Sequence, residues 1–197
     1  MNASLAYYKG FSLREQHPGI DRWLSALEGL ETYRGTQSDF HTHAHDLPPQ
    51  MGGCWANGVE AQRRFAAAID CGEGLGAWEG RTGGDGVLEG LAALEPVLRH
   101  RQTLMARNPL GAGFDQPLRA ALTRLITGNP VRPDSGSAVG LRYLRDRISV
   151  PRDMPLPSGR LLRQALEVTA QLDGDDQPEA LPQNHRFDQD PRPFLNL

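Results

Sequence analysis

Apolar residues at Ile20, Trp23, Leu24 and Leu27 recur at the i, i+3, i+4, i+7 spacing of a helix with one buried face, and Pro18 stands near its start. A second helix is predicted from about Asn57, whose side chain suits an N-cap, through Val59, Phe65, Ala66 and Ile69, stopping before Gly72. Val87, Leu91, Leu94 and Leu98 share a stripe that continues towards Met105, with Pro96 expected to kink or divide it and the end expected before Asn108-Pro109. Leu118, Ala121, Leu122, Leu125 and Ile126 give the cleanest pattern, entered by Asp115 as N-cap with Pro117 in the first turn and closed by Gly128. A short helix is predicted around Val139, Tyr143, Leu144 and Ile148, and a longer one through Leu161, Leu162, Ala165, Leu166, Thr169 and Leu172, with Pro151 between them.

Sustained period-2 alternation of β-branched residues is missing, and the longest β-like run is Ile148 to Val150. The pattern therefore predicts an all-α fold: one helical domain over residues 1–172, with long loops. Residues 173–197 carry Asp173, Asp175, Asp176 and several prolines among few apolar side chains. Such a stretch buries too little surface to offset its ordering entropy, so it is expected to be a disordered tail.

Composition narrows the class. With 22 glycines and 15 prolines, loops take a large share of the 197 residues. The net charge is −3 with acidic and basic residues interspersed, which argues against a basic nucleic-acid-binding face. No apolar stretch is long enough to span a bilayer, and the first twenty residues lack the basic-then-apolar order of a secretory signal, so a cytoplasmic protein without a membrane partner is expected. Cys54 and Cys71 are the only thiols and have no zinc or redox spacing.

Three imidazoles and two carboxylates crowd into Asp39-Phe40-His41-Thr42-His43-Ala44-His45-Asp46. In extended backbone alternate residues project to one face, so His41, His43 and His45 would converge and two of them could share a Zn²⁺. The order Asp-x-His-x-His resembles the metal motif of amidohydrolases and of the polymerase-and-histidinol-phosphatase family, and implies a metal-dependent hydrolase. Those families place further ligands after later barrel strands, whereas here only His100 and His185 follow. The bland alternative is a polar loop whose imidazoles hydrogen-bond backbone and neighbouring aspartates.

Other chemistry is weakly represented. Gly72, Gly74 and Gly76 follow a predicted helix rather than opening one, so they read as a connection and not a phosphate loop. Lys9 is the only lysine, which excludes a Walker-type loop, and there is no G-x-S-x-G elbow. Between Leu141 and Arg163, Arg142, Arg145, Arg147, Arg152, Arg160 and Arg163 outnumber Asp146 and Asp153. Arg142 and Asp146 at i, i+4 read as ordinary surface pairing on a solvated face, and docking of an acidic partner is the other option.

The segment Tyr7-Tyr8-Lys9-Gly10-Phe11, with His17-Pro18-Gly19-Ile20-Asp21-Arg22-Trp23-Leu24-Ser25-Ala26-Leu27-Glu28 and Glu31-Thr32-Tyr33-Arg34, resembles the sixth helix and its approach in glutathione S-transferases. There a proline-started helix carries Trp at its fifth position and ends in an Arg-Pro-x-Tyr-like turn, and Glu31 here stands where that family often has Pro. Leu47-Pro48-Pro49-Gln50 and the run Leu141 to Met154 look like extended transferase-like proteins of cyanobacteria and plastids. The resemblance implies the helical C-terminal domain of that family, without the thioredoxin-like N-terminal domain that carries its glutathione site and catalytic residue. It thus implies a truncated chain that offers an acceptor-site wall or interaction surface. No transferase activity of its own is implied, nor a cofactor, glutathione entering only with the missing domain. A homodimer or a thioredoxin-like domain would be the partner. Pro18, Trp23, Leu27 and Tyr33 would be structural, with Trp23 in the core.

Overall fold

The computed structural model describes residues 2–39, 41–46, 55–71 and 84–174, and among them every regular element is helical. The chain forms two compact units, one within Met1–Gly74 and one within Leu75–Glu179. No described helix is long and apolar enough to cross a membrane. The predicted tail lies outside the described residues from 175 onward, as do Cys54, His185 and the Gly72–Gly76 connection.

The first unit contains α1 (Asn2–Lys9), α2 (Leu13–Gln16), α3 (Pro18–Glu28), α4 (Glu31–Thr36), a π-helical turn at Thr42–Asp46, and α5 (Glu60–Asp70). Helix α1 packs on α5 and on the π-helical turn, and Tyr7, Tyr8, Ala44 and Ile69 form its small core. Gly10 ends α1 in the left-handed region at φ +69°, and a Cβ there would lie 2.5 Å from the Gln62 backbone nitrogen. Only glycine meets both demands, and so lets α1 approach the start of α5. Asn57 then closes the join, donating from Nδ2 to the Lys9 carbonyl at 2.9 Å and from its backbone to the Tyr8 carbonyl at 3.0 Å. Asn57 is therefore not the N-cap predicted for α5, which starts three residues later.

Helix α3 has the predicted span, from Pro18 to Glu28, but buries no side chain, and Trp23 is 61% exposed. The expected core role of Trp23 is thus not realised in this chain; Pro18 is also exposed, while Leu27 and Tyr33 are half-buried. Period-3.6 spacing states that a helix has an apolar face and not what covers it. Here α3 packs chiefly against its short neighbours α2 and α4, and Arg14 of α2 clips it through Asp21 and Glu28.

The second unit contains α6 (Gly84–Arg99), α7 (Arg101–Arg107), a 3₁₀ turn (Gly111–Phe114), α8 (Asp115–Thr127), α9 (Ala138–Arg145), α10 (Leu156–Ala170) and a closing 3₁₀ turn (Gln171–Asp173). Pro96 is accommodated inside α6, and the break comes four residues later at His100 (φ −103°, ψ 11°). Helix α7 stops where expected, because Asn108 takes the extended ψ of 143° that a following proline favours. Gly128 closes α8 at φ +75°, its N–H reaching the Arg124 carbonyl at 2.8 Å.

Helix α10 packs on α6, α8 and α9, and the core gathers Phe114, Leu118, Ala121, Leu125, Leu141, Leu162 and Leu166 between them. Gly159 lets the 148–154 segment lie directly on α10, since a Cβ there would come within 2.4 Å of Val150 Cγ1. On α6 the side that faces this core is Gly90, Ala93 and Val97, while Val87, Leu91 and Leu98 of the predicted stripe are exposed. Small residues win the inner side because they bring helix axes close.

Candidate functional site: a buried imidazole, carboxylate and phenol cluster

The stretch read as extended backbone is helical, and this decides which imidazoles meet. Asp39 starts the turn, its Oδ1 accepting from the Thr42 N–H at 3.0 Å and its carbonyl from the His43 N–H at 3.2 Å. In a helical turn residues four apart share a face, whereas alternate residues do not. His41 and His45 therefore stack, with ring centroids 5.6 Å apart and an interplanar angle of 23°. A ring nitrogen of one lies within 4.8 Å of a ring nitrogen of the other. His43 is half-buried, its carbonyl held by the Ser4 hydroxyl. Burial, only partly opposed by Asp39, lowers the pKa of His43 below the usual imidazole value. The predicted convergence of His41, His43 and His45 is corrected to a pair, His41 with His45.

Two residues from other helices complete the group. Asp70, the last residue of α5, sets Oδ1 3.7 Å from His45 Nε2. Tyr7 of α1 donates its hydroxyl to Asp70 at 3.0 Å for Oδ1 and 3.3 Å for Oδ2, and its ring meets the His45 ring edge-on at 5.2 Å. Below the rings, Tyr8 donates to the Ala44 carbonyl at 3.2 Å, and Gln62 donates to the Tyr7 carbonyl at 2.8 Å. His41, His45 and Asp70 each retain 4% exposure or less. These side chains are therefore shielded from water.

Neither Asp70 nor Tyr7 was identified by sequence pattern as a site residue. One signal for Asp70 was present: a carboxylate in the last turn of a helix opposes the helix dipole, so its placement there needs another reason. Tyr7 carried no comparable signal.

The second unit holds a separate polar cluster. Arg142, Arg145, Asp146, Arg163 and Glu167 are all buried, so the solvated face expected for this segment is corrected to an internal ion-pair network. Arg142 pairs across helices with Glu167 (3.1 Å). Arg145 bridges Asp146 and Glu167. Burial alone would lower the Arg145 pKa, but those two carboxylates more than reverse it, and the guanidinium stays charged. Docking of an acidic partner by these arginines is disfavoured, because Arg142 and Arg145 are engaged inside the unit. No family, curated protein or solved structure matches the chain.

Proposed function

We propose that the first unit binds a divalent metal ion through the paired imidazoles of His41 and His45, and that the protein uses it as a metal-dependent hydrolase. The observation that carries this reading is that a ring nitrogen of each lies within 4.8 Å of a ring nitrogen of the other, with both side chains buried. Two imidazoles four residues apart on one helical turn offer a matching pair of donors. Water on an ion held by such a pair would have its pKa lowered to about 7, as in hydrolytic zinc centres.

Elemental analysis after loading with Zn²⁺ and gel filtration tests the reading. About one equivalent is expected in the unaltered chain, lost in His41→Ala and His45→Ala and retained in His43→Ala. Hydrolysis of an activated ester should follow the same pattern. No retained metal, or loss only in His43→Ala, would overturn the assignment.

The second reading keeps the helical C-terminal part of a glutathione S-transferase-like protein, providing an acceptor wall or interaction surface. The exposed Trp23 and Leu30, at 61% and 53%, favour it, because an amphipathic helix with no buried side chain suits a partner domain or a second copy. In this reading the chain alone does not conjugate glutathione to a general electrophile, and measured turnover would exclude it.

A further inference from the structure

One helical turn fixes where the His41 and His45 side chains begin, but each imidazole still has its own side-chain torsions to settle. In the structure the two rings lie nearly parallel, at 23° and 5.6 Å. The ring packed edge-on against His45 comes from a different segment: it is Tyr7 of α1, 5.2 Å away at 71°. Tyr7 is itself held at two points. Its hydroxyl donates to Asp70 at the end of α5, 3.0 Å from Oδ1 and 3.3 Å from Oδ2. Its ring meets that of Tyr8 edge-on at 4.8 Å, and the Tyr8 hydroxyl holds the carbonyl of Ala44, the residue before His45.

We infer that Tyr7 is a positioning residue for His45, keeping its imidazole stacked with His41 so that both present a nitrogen to one ion; this rests on the metal reading above. Asp70 is the anchor of Tyr7 in this role and not a ligand. The phenol ring can turn about its long axis without moving its hydroxyl. Tilting it away from His45 would cost a buried hydrogen bond to Asp70, so the ring stays where it is. The edge-on contact passes that rigidity to the imidazole. An arriving ion then meets a ring already ordered, and its affinity does not carry the cost of ordering it. The phenol neither binds the ion nor moves a proton.

Titration of the full chain with Co²⁺ against a chelator, followed by visible absorption, tests this inference. The unaltered chain should bind and His45→Ala should not. Tyr7→Phe keeps the ring but loses the anchor, and should bind roughly 10- to 100-fold more weakly, as for loss of other groups that orient ligands. Its cobalt bands should also shift, because the freed imidazole meets the ion at a different angle. Asp70→Asn removes the charge yet keeps an oxygen to accept from Tyr7, so it should retain the affinity and the bands of the unaltered chain. Asp70→Leu removes the acceptor and should behave like Tyr7→Phe. Unchanged binding and bands in Tyr7→Phe, with the metal lost in His45→Ala, would overturn the role of Tyr7 and leave the metal reading intact. Loss of binding in Asp70→Asn would make Asp70 a ligand and equally overturn the inference. No binding by the unaltered chain would overturn both readings. Should Tyr7→Phe fail to fold, the two Asp70 variants read the same anchor: tight binding by Asn with weak binding by Leu supports it, and equal binding by the two sinks it.

Discussion

Replacing Glu167 by Gln should destabilise the second unit by about 3–5 kcal/mol, the cost of breaking a buried ion pair from one side. Glu167 lies on α10 and accepts from Arg142 Nε at 3.2 Å and Nη2 at 3.1 Å, and from Arg145 Nη1. Asp146 takes the other edge of Arg145, with Oδ1 2.7 Å from Nε and Oδ2 3.1 Å from Nη2. Two carboxylates thus balance Arg142 and Arg145, and Arg163 joins them inside the unit, with its Nη2 turned to the Ile148 carbonyl. Gln keeps the volume and one oxygen but removes the charge.

Asp146 would then remain beside Arg145, while Arg142 would lose the opposing charge of Glu167. A buried lysine or histidine could escape by releasing its proton, but an arginine cannot. The pKa of Arg145 is already raised in the native unit by its two carboxylates. The cost must therefore appear in the folding equilibrium. Urea unfolding should show a lower midpoint with an unchanged slope, since the buried area is the same. Arg99→Ala, which removes the exposed partner of Glu95, supplies the control, with an effect within about 0.5 kcal/mol. If the two substitutions cost the same, the α9–α10 arginines are solvated after all.

The same arginines show what could be read from the chain and what could not. Periodicity located α3, α8 and α10 and the end of α7, because proline and glycine punctuation and one-sided apolar spacing act within a single helix. It misplaced Arg142, since i, i+4 charge spacing is identical for a surface pair and for a residue that reaches across to another helix. Partner choice depends on how α9 meets α10, which local sequence does not encode. The exposed Trp23 is the converse case: an apolar stripe is visible in the sequence and its covering is not.

The His cluster failed in a more specific way. Alternation is informative only once the backbone is known to be extended, and Asp39 instead nucleates a helical turn by capping Thr42. That change of period exchanges the triple His41, His43 and His45 for the pair His41 and His45. Asp39 before this turn was a legible cap signal, although the His-x-His spelling drew attention to metal motifs built on strands. Tyr7 and Asp70 are 63 residues apart in sequence. Their meeting depends on the α1–α5 packing that Gly10 permits, and no local pattern announces it.

Phe114 was absent from every predicted stripe, yet Phe114→Ala should cost about 3–5 kcal/mol. It closes the 3₁₀ turn Gly111–Phe114 just before α8, is fully buried, and belongs to the same core as Leu118 one turn further on. Truncation removes the transfer free energy of the ring and also leaves a cavity, and the size of the loss depends on whether the site can collapse. Collapse is resisted here because the entry to α8 is pinned: Asp115 pairs with Arg101 of α7 and, at 3.0 Å, with Arg119. The turn itself packs on α7 and α8, the two helices that these pairs hold, so neither is free to move in and fill the space. Phe114→Leu retains most of the volume and should lose less than about 1.5 kcal/mol. Calorimetric melting of the two variants against the unaltered chain separates these cases. A wide gap between Ala and Leu reports a rigid cavity, whereas small and equal losses would mean that the turn relaxes and Phe114 does not anchor α8.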